Sequence, residues 1–391
     1  MNKSIFPFLF ISLIMATTET FSQKNEVSQV NWSTAAQVQN NDGSLSLGFA
    51  GVINGISNDV LIVTGGANFP DKMPWEGGKK EYSKTIHVLQ KCKDQFNWIA
   101  AVKSELPEAI AYSGSTSTKL GVVYVGGENE NGLSNKSYLL KWNADTKEVE
   151  TKSLPDFPIA IANIALTHID TVVYAVGGDE AGQSSDFFAS LDLNDANAKW
   201  ILLPKLPIAL ANSVVIAQKG KDGTNIYVVG GRTKTASGIS DLHNTTLVFN
   251  LQKQKWETAA TISDGKNTTN FSAGTGVAFG SHSILILGGD NGVIFHQIET
   301  FLSQIAQAES PEKKTDLITQ KNKLVTNHPG FYNGILLYNT LTDQWSKIGE
   351  LPFLPHVTTP AVVWNKKIIL SNGEIKPGIR TPNVMLGTIK K

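Results

Sequence analysis

Among 34 basic residues only Arg232 and Arg380 are arginine, and Arg380 follows Glu374 in the segment Asn372-Gly373-Glu374-Ile375-Lys376-Pro377-Gly378-Ile379-Arg380-Thr381. A guanidinium presents a planar fork of donors that meets a carboxylate in two parallel hydrogen bonds, where a lysine offers only a point charge. A chain that uses arginine almost nowhere else has kept one beside a carboxylate, in a loop stiffened by Pro377 and loosened by Gly373 and Gly378. The pattern points to a site for an anionic group. A surface ion pair or a bridge between structural repeats is the competing reading.

The chain that must position this pair has 391 residues, 41% hydrophobic content and a formal charge of zero. It can bury a large core but has no basic field to gather phosphates, so nucleic acid is not an expected partner. Lys3 precedes an apolar run from Ile5 to Met15, and small or polar residues lead to Ser22, which reads as a secretory leader over 1–22. The run is too short to span a bilayer. Export, to a periplasm, and a mature region of 23–391 are the expectation. Cys92 is the only cysteine and the seven histidines show no short-spaced pair, so neither a disulfide framework nor a metal is expected.

The organisation is a repeat. Apolar, β-branched strands end in paired glycines at Gly65-Gly66, Gly126-Gly127, Gly177-Gly178, Gly230-Gly231 and Gly288-Gly289, with a degenerate sixth at Asn372-Gly373. The second glycines are 61, 51, 53, 58 and 84 residues apart, a period near 50 with insertions. Further strands carry Trp98, Trp200, Trp256 and Trp345, and Leu-Pro turns follow at Leu106-Pro107, Leu154-Pro155, Leu206-Pro207 and Leu351-Pro352. This resembles the kelch repeat, and it implies an all-β, six-bladed propeller. The sixth repeat ends before any tryptophan strand, and residues 28–36, with Trp32, supply one; the two ends of the chain are expected to pair and close the ring. The insertion at about 292–334 shows apolar residues at helical spacing, a break at Ser310-Pro311 and a second helical run, and predicts a helical hairpin packed on the propeller by its apolar face.

Loops after the glycine pairs crowd one mouth of such a channel, which makes the residues there the place for a ligand. They are Asn68, Glu128, Asp179 with Glu180, Arg232, Asp290 and Glu374. Turn-capping is the expected role of Glu128, Asp179 and Asp290. Arg232, Glu180 and Asn68 are further candidate substrate contacts.

The segment Asn372 to Thr381 resembles the Gly-Glu-x-Lys-Pro-Gly-x-Arg-Thr signature of the sialic acid mutarotases (N-acetylneuraminate epimerases). Gly48-Phe49-Ala50-Gly51-Val52, Gly65-Gly66-Ala67-Asn68-Phe69, Glu76 to Ser83 and His328-Pro329 are similar as well. The resemblance covers nearly all of the mature chain in rotated order, because the signature lies mid-chain in better-known members; it suggests a cyclically permuted branch. Ala109 to Ala111 ahead of Tyr112 depart from the family, which places an arginine before this tyrosine. The resemblance implies interconversion of the α and β anomers of N-acetylneuraminic acid without a cofactor. It also implies Glu374 as proton acceptor, its acidity set by partial burial against Arg380, and Arg380 as anchor of the sugar carboxylate. A sialidase is excluded by its need for three arginines, and a galactose-oxidase-like copper site by the surroundings of Cys92. An exported propeller that binds a glycan or a partner protein without catalysis is the alternative, and neither oligomeric state nor a second proton donor is legible.

Overall fold

The computed structural model describes residues 27–390 apart from Asn41, Asp94 and Ala101; the leader expected at 1–22 lies outside the described residues. Among the described residues six antiparallel sheets stand around an axis as the blades of a propeller, each with four main strands and blade I with a short fifth, Glu81–Tyr82, beside Val60–Asn68. Blade I is built from Ala50–Ser57, Val60–Asn68, Ile86–Cys92 and Gln95–Trp98, and blade II from Gly114–Thr118, Gly121–Val125, Ser137–Asn143 and Glu148–Ser153. Blade III follows with Ala165–Ile169, Val172–Val176, Phe188–Asp192 and Ile201–Leu202, and blade IV with Val214–Gly220, Gly223–Val229, Thr246–Asn250 and Lys255–Ala259. Blade V holds Thr275–Phe279, Ser283–Leu287, Gly334–Asn339 and Gln344–Glu350. Blade VI takes Ala361–Trp364, Lys367–Ser371 and Asn383–Lys390 from one end of the chain and Gln29–Gln37 from the other.

The second strand of a blade is covered on both faces by its neighbours, so it reads as a continuous apolar run such as Ile284-Leu285-Ile286-Leu287, all four fully buried. The core is accordingly divided among the joints. Val123 and Val125 of blade II pack with Val173 and Ala175 of blade III, Val229 of blade IV with Ile284 and Ile286 of blade V, and equivalent clusters fill the other joints. Tryptophans bolt these wedges: the indole N–H of Trp98, Trp200, Trp256 and Trp345 donates to Gln37, Pro155, Pro204 and Ala260 respectively, each on the preceding blade.

The glycine pairs have two distinct duties. The first residue of the pair sits near φ +60°, and at Gly126, Gly177 and Gly230 a Cβ would overlap the carbonyl oxygen of Ile161, Leu210 and Phe271 on the next blade. The second donates its N–H to that same next-blade carbonyl: Gly127 to Ile161, Gly178 to Leu210 and Gly231 to Phe271, all at 2.8 Å. Close approach and the bond both depend on the missing side chain.

One residue per blade, two positions after that carbonyl, also has a left-handed backbone. Gly51, Tyr112, Asn163, Asn212, Ala273 and Thr358 have φ between 53° and 68°. Each N–H donates to the carbonyl of its counterpart on the previous blade, Gly51 to Thr358 included, at 2.8–3.2 Å. Six backbone bonds thus form a closed hoop around the axis. Five non-glycine residues accept an unfavourable conformation to make it, a strain that the surrounding ring sustains.

Ring closure follows the expectation. Gln29–Gln37 pairs antiparallel with Asn383–Lys390, Trp32 opposite Gly387, and Trp32 sets its ring edge-on to Phe353 of blade V at 5.4 Å. The insertion forms the two expected helices, α1 (Val293–Gln307) and α2 (Pro311–Thr326), with Ser310 capping α2 through the Lys313 N–H. Their packing corrects the expectation. No residue of α1 and only Leu317 of α2 is buried, while Val293 and Leu302 stay exposed. The hairpin is instead pinned at its side: Glu299 accepts from the Ser240 N–H at 2.7 Å and hydroxyl at 2.8 Å, and His296 Nε2 lies 2.7 Å from the Ser240 carbonyl.

Candidate active site

The residue after each glycine pair is held by a short antiparallel bridge to the residue just before the hoop: Glu128 to Ala111, Asp179 to Ala162, Arg232 to Ala211, Asp290 to Ser272 and Glu374 to Val357. This repeated register sets the five side chains around one mouth of the propeller, directly over the hoop. They line a cavity of about 690 Å³ together with Lys80, Tyr112, Lys234, Phe295, Glu299 and His328. Phe295 and Glu299 come from α1, so the hairpin walls the mouth. A second cavity of about 410 Å³, the channel, continues below the hoop between the inner strands.

Glu374 and Arg380 are directly cross-strand in a tight hairpin, Glu374–Lys376 against Ile379–Arg380. Arg380 Nη1 lies 3.2 Å from Glu374 Oε1, the side chains being 5% and 19% exposed. The Gly378 N–H donates to the same Oε1 at 2.6 Å, which leaves Oε2 for a ligand. The guanidinium stacks over Phe69, 4.7 Å from the ring centroid, and its Nε and Nη1 are buried without a hydrogen-bond partner. Glu374 lines the cavity and Arg380 stands behind it.

The remaining expectations divide. Arg232 lines the cavity and donates from Nη2 to Asp179 Oδ2 at 2.6 Å; Lys234 approaches Asp179 Oδ1 at 3.4 Å, and Asn163 and Ser184 also bond to this buried carboxylate. Asp179 is therefore the centre of an ion cluster, and the turn-capping role expected of it does not hold. Glu128 corrects in the same way, accepting from Lys80 Nζ at 2.9 Å and the Tyr82 hydroxyl at 3.1 Å. Asp290 does cap a turn, its Oδ1 taking the Gly292 N–H at 2.7 Å, and burial pushes its carboxyl above the usual range. Asn68 spends its amide on the Gly48 carbonyl at 3.1 Å, and neither it nor Glu180 lines the cavity.

Lys80, Tyr112 and Lys234 reach the site without having been singled out as contacts. Lys80 arrives on the long loop after the first glycine pair, whose length was its only signal. Its Nζ stands 4.9 Å from the centroid of the Tyr112 ring. Tyr112 lies in the loop where the family arginine is missing. Among the described residues no group of three or more His, Cys, Asp or Glu is placed to hold a metal ion.

A family model for N-acetylneuraminate epimerase matches residues 13–149 and 154–391. The chain belongs to the N-acetylneuraminate epimerase family. Curated relatives of that name include those of Haemophilus influenzae (strain 86-028NP), 28% identical over 242 residues, 62% of this chain and 61% of the relative. That of Yersinia enterocolitica serotype O:8 / biotype 1B is 30% identical over 243 residues, 60% of this chain and 57% of the relative. That of Brucella melitensis biotype 1 is 26% identical over 239 residues, 60% and 59% of the two chains. The chain thus spans about three fifths of the length of the curated relatives it matches. A solved structure of YjhT superposes with a TM-score of 0.59 at 16% identity, over 88% of this chain and 98% of that one, a likeness of fold. Membership of the epimerase family and a six-bladed propeller are consistent with one another, and the hairpin that carries Glu374 and Arg380 falls within the matched region.

Proposed function

We propose that this protein is an isomerase that interconverts the α and β anomers of N-acetylneuraminic acid or a related acidic sugar. The observation that carries the reading is the adjacency of Glu374 and Arg380 at the wall of the mouth cavity. In a 2-keto acid sugar the anomeric carbon bears both the carboxylate and the hydroxyl whose proton must leave. A base and a carboxylate anchor for such a carbon must themselves be neighbours, and a separation of 3.2 Å meets that requirement.

Glu374 is the proton acceptor: its Oε2 is unspent, and Arg380 and the Gly378 N–H hold its position. Removing the anomeric proton while the ring oxygen gains one opens the ring, and closure on the other face gives the other anomer. Arg380 is the anchor for the carboxylate in this reading: its Nη1 is ion-paired to Glu374 and its buried Nε has no hydrogen-bond partner, which is costly to leave unmade. The apolar leader from Ile5 to Met15 supports export as part of the same reading.

The test is anomer exchange of N-acetylneuraminate followed by NMR. Glu374→Gln is expected to retain binding and to drop exchange to the solution rate. Arg380→Lys is expected to raise KM, because a point charge replaces the fork. An unmodified protein that binds the sugar and adds nothing to the solution rate would establish a binding propeller in place of an enzyme.

A further inference from the structure

Mutarotation needs two proton-transfer groups, and Glu374 is one. The second must also lie within a few ångströms of the anomeric carbon, because the ring oxygen is bonded to it. Five of the six residues after the glycine pairs line the cavity; in blade I that position is the buried Ala67, paired with Ala50, and the next residue, Asn68, turns its amide to the Gly48 carbonyl. The sector between Glu374 of blade VI and Glu128 of blade II is filled from elsewhere.

Two residues fill it. The hoop position of blade I is Gly51, and a Cβ there would stand 2.6 Å from Tyr112 Cδ1. The Tyr112 ring therefore lies across Gly51, leaning from blade II over blade I toward blade VI. Lys80 covers it from the long loop, held in place by Glu128. Among the described residues the Tyr112 hydroxyl takes no hydrogen bond, whereas Tyr82 beside it donates to Glu128. Tyr112 also lines the cavity that Glu374 lines.

We propose that Tyr112 is the second proton-transfer residue, giving its phenolic proton to the sugar ring oxygen as Glu374 takes the proton of the anomeric hydroxyl. The inference rests on the mutarotase reading above. In the opening step the O–H bond of the anomeric hydroxyl breaks toward Glu374 and its electrons form the ketone C=O. The bond from the anomeric carbon to the ring oxygen breaks, and that oxygen takes the proton of Tyr112. Rotation about the bond next to the ketone presents its other face. On closure the phenolate recovers its proton from the attacking hydroxyl, and protonated Glu374 returns its own to the new anomeric oxygen. No co-reactant is consumed.

The surroundings suit this cycle. Lys80, Glu374, Arg380, Glu128 and Tyr82 are the charged or titratable groups that face Tyr112. Burial pushes its phenol up, with Lys80 the largest opposing influence, so it is protonated at neutral pH and ready to donate. The Lys80 ammonium stabilises the phenolate that forms in the open-chain state. The rival groups each have a partner in the protein. Lys80 is ion-paired to Glu128, Asp290 caps Gly292, and His328 is buried with Nδ1 accepting from the Gly330 N–H at 3.1 Å.

Tyr112→Phe keeps the ring and its packing and removes one oxygen. Anomer exchange of N-acetylneuraminate by the full-length variant is expected to lose about 100-fold or more in kcat, the usual contribution of a positioned acid, with KM and the thermal midpoint unchanged. Lys80→Met leaves Tyr112 in place and is expected to move the alkaline limb of the pH–rate profile to higher pH, since removing the cation raises the phenol. Full kcat in Tyr112→Phe, or an alkaline limb unmoved by Lys80→Met, overturns the inference; so does loss confined to Asp290→Asn. If Glu374→Gln abolishes exchange while Tyr112→Phe does not, only this inference fails. If the unmodified protein adds nothing to the solution rate, the mutarotase reading fails with it.

Discussion

At the scale of single residues, the rare ones were the legible ones. Arg380 and Glu374 declared themselves because one planar cation beside one carboxylate is conspicuous in a chain built on lysine. Asp179 and Glu128 did not, because their partners come from another blade or a long loop: Arg232 lies 53 residues on, and Lys80 48 residues back. Tyr112 was hidden for a third reason: its direction depends on an empty slot at Gly51, in a different repeat. His356 shows what burial at a joint costs. It is 3% exposed, packs on Phe353, and is pushed from 6.5 down to about 4 by desolvation, with a hydrogen bond to the Asn372 backbone opposing. The folded protein holds it neutral while the unfolded chain protonates it below 6.5, so its stability contribution is intact above pH 6.5 and is lost as pH falls toward 4. The loss is about 3 kcal/mol by linkage. Urea unfolding measured from pH 7 to pH 4 should steepen in this window, and His356→Gln should flatten the dependence. His87, His168, His243 and His328 are also lowered by burial and act in the same direction.

Whole elements were readable where periodicity and the glycine pairs coincide. All six blades, the tryptophan strands and both helices stood in the sequence because each rests on a local pattern repeated several times. The seating of the hairpin was not readable. Apolar spacing in α1 promised a buried face, whereas the contacts that seat it are polar, through Glu299 and His296 to Ser240, and its apolar residues Phe295 and Ile298 face the mouth. The glycine pairs make a sharp prediction at this scale. Gly177→Ala places a methyl against the Leu210 carbonyl at a φ of +62°. It should destabilise by on the order of 1–3 kcal/mol through strain at that backbone position, read as a lower thermal midpoint. Gly182→Ala, with φ +84° but nothing within 4 Å of its Cβ, isolates the cost of the backbone alone and should be milder.

For the molecule as a whole, the decisive feature is that blade VI is assembled from both ends of the described chain. Deleting residues 28–37 removes the strand paired with Asn383–Lys390 and the wedge of Trp32 on Phe353. The expected outcome is a lower thermal midpoint together with lost anomer exchange, because Glu374 and Arg380 sit in the hairpin between Lys367–Ser371 and Asn383–Lys390, two of the three strands that remain of that blade. A truncated protein with full exchange would show that the seam and the site are independent. Closure was legible from one missing tryptophan strand; the hoop of backbone bonds was not, since left-handed φ at Tyr112, Asn163, Asn212, Ala273 and Thr358 has no common residue type to announce it. The shared blade also sets an order in time. As the polypeptide emerges, five blades can form while the strand at 29–37 waits without its partner, and the hairpin bearing Glu374 and Arg380 appears only just before residues 383–390 arrive to lock the circle. The hairpin bearing Glu374 and Arg380 is thereby locked in place only in chains that have been made to the last strand.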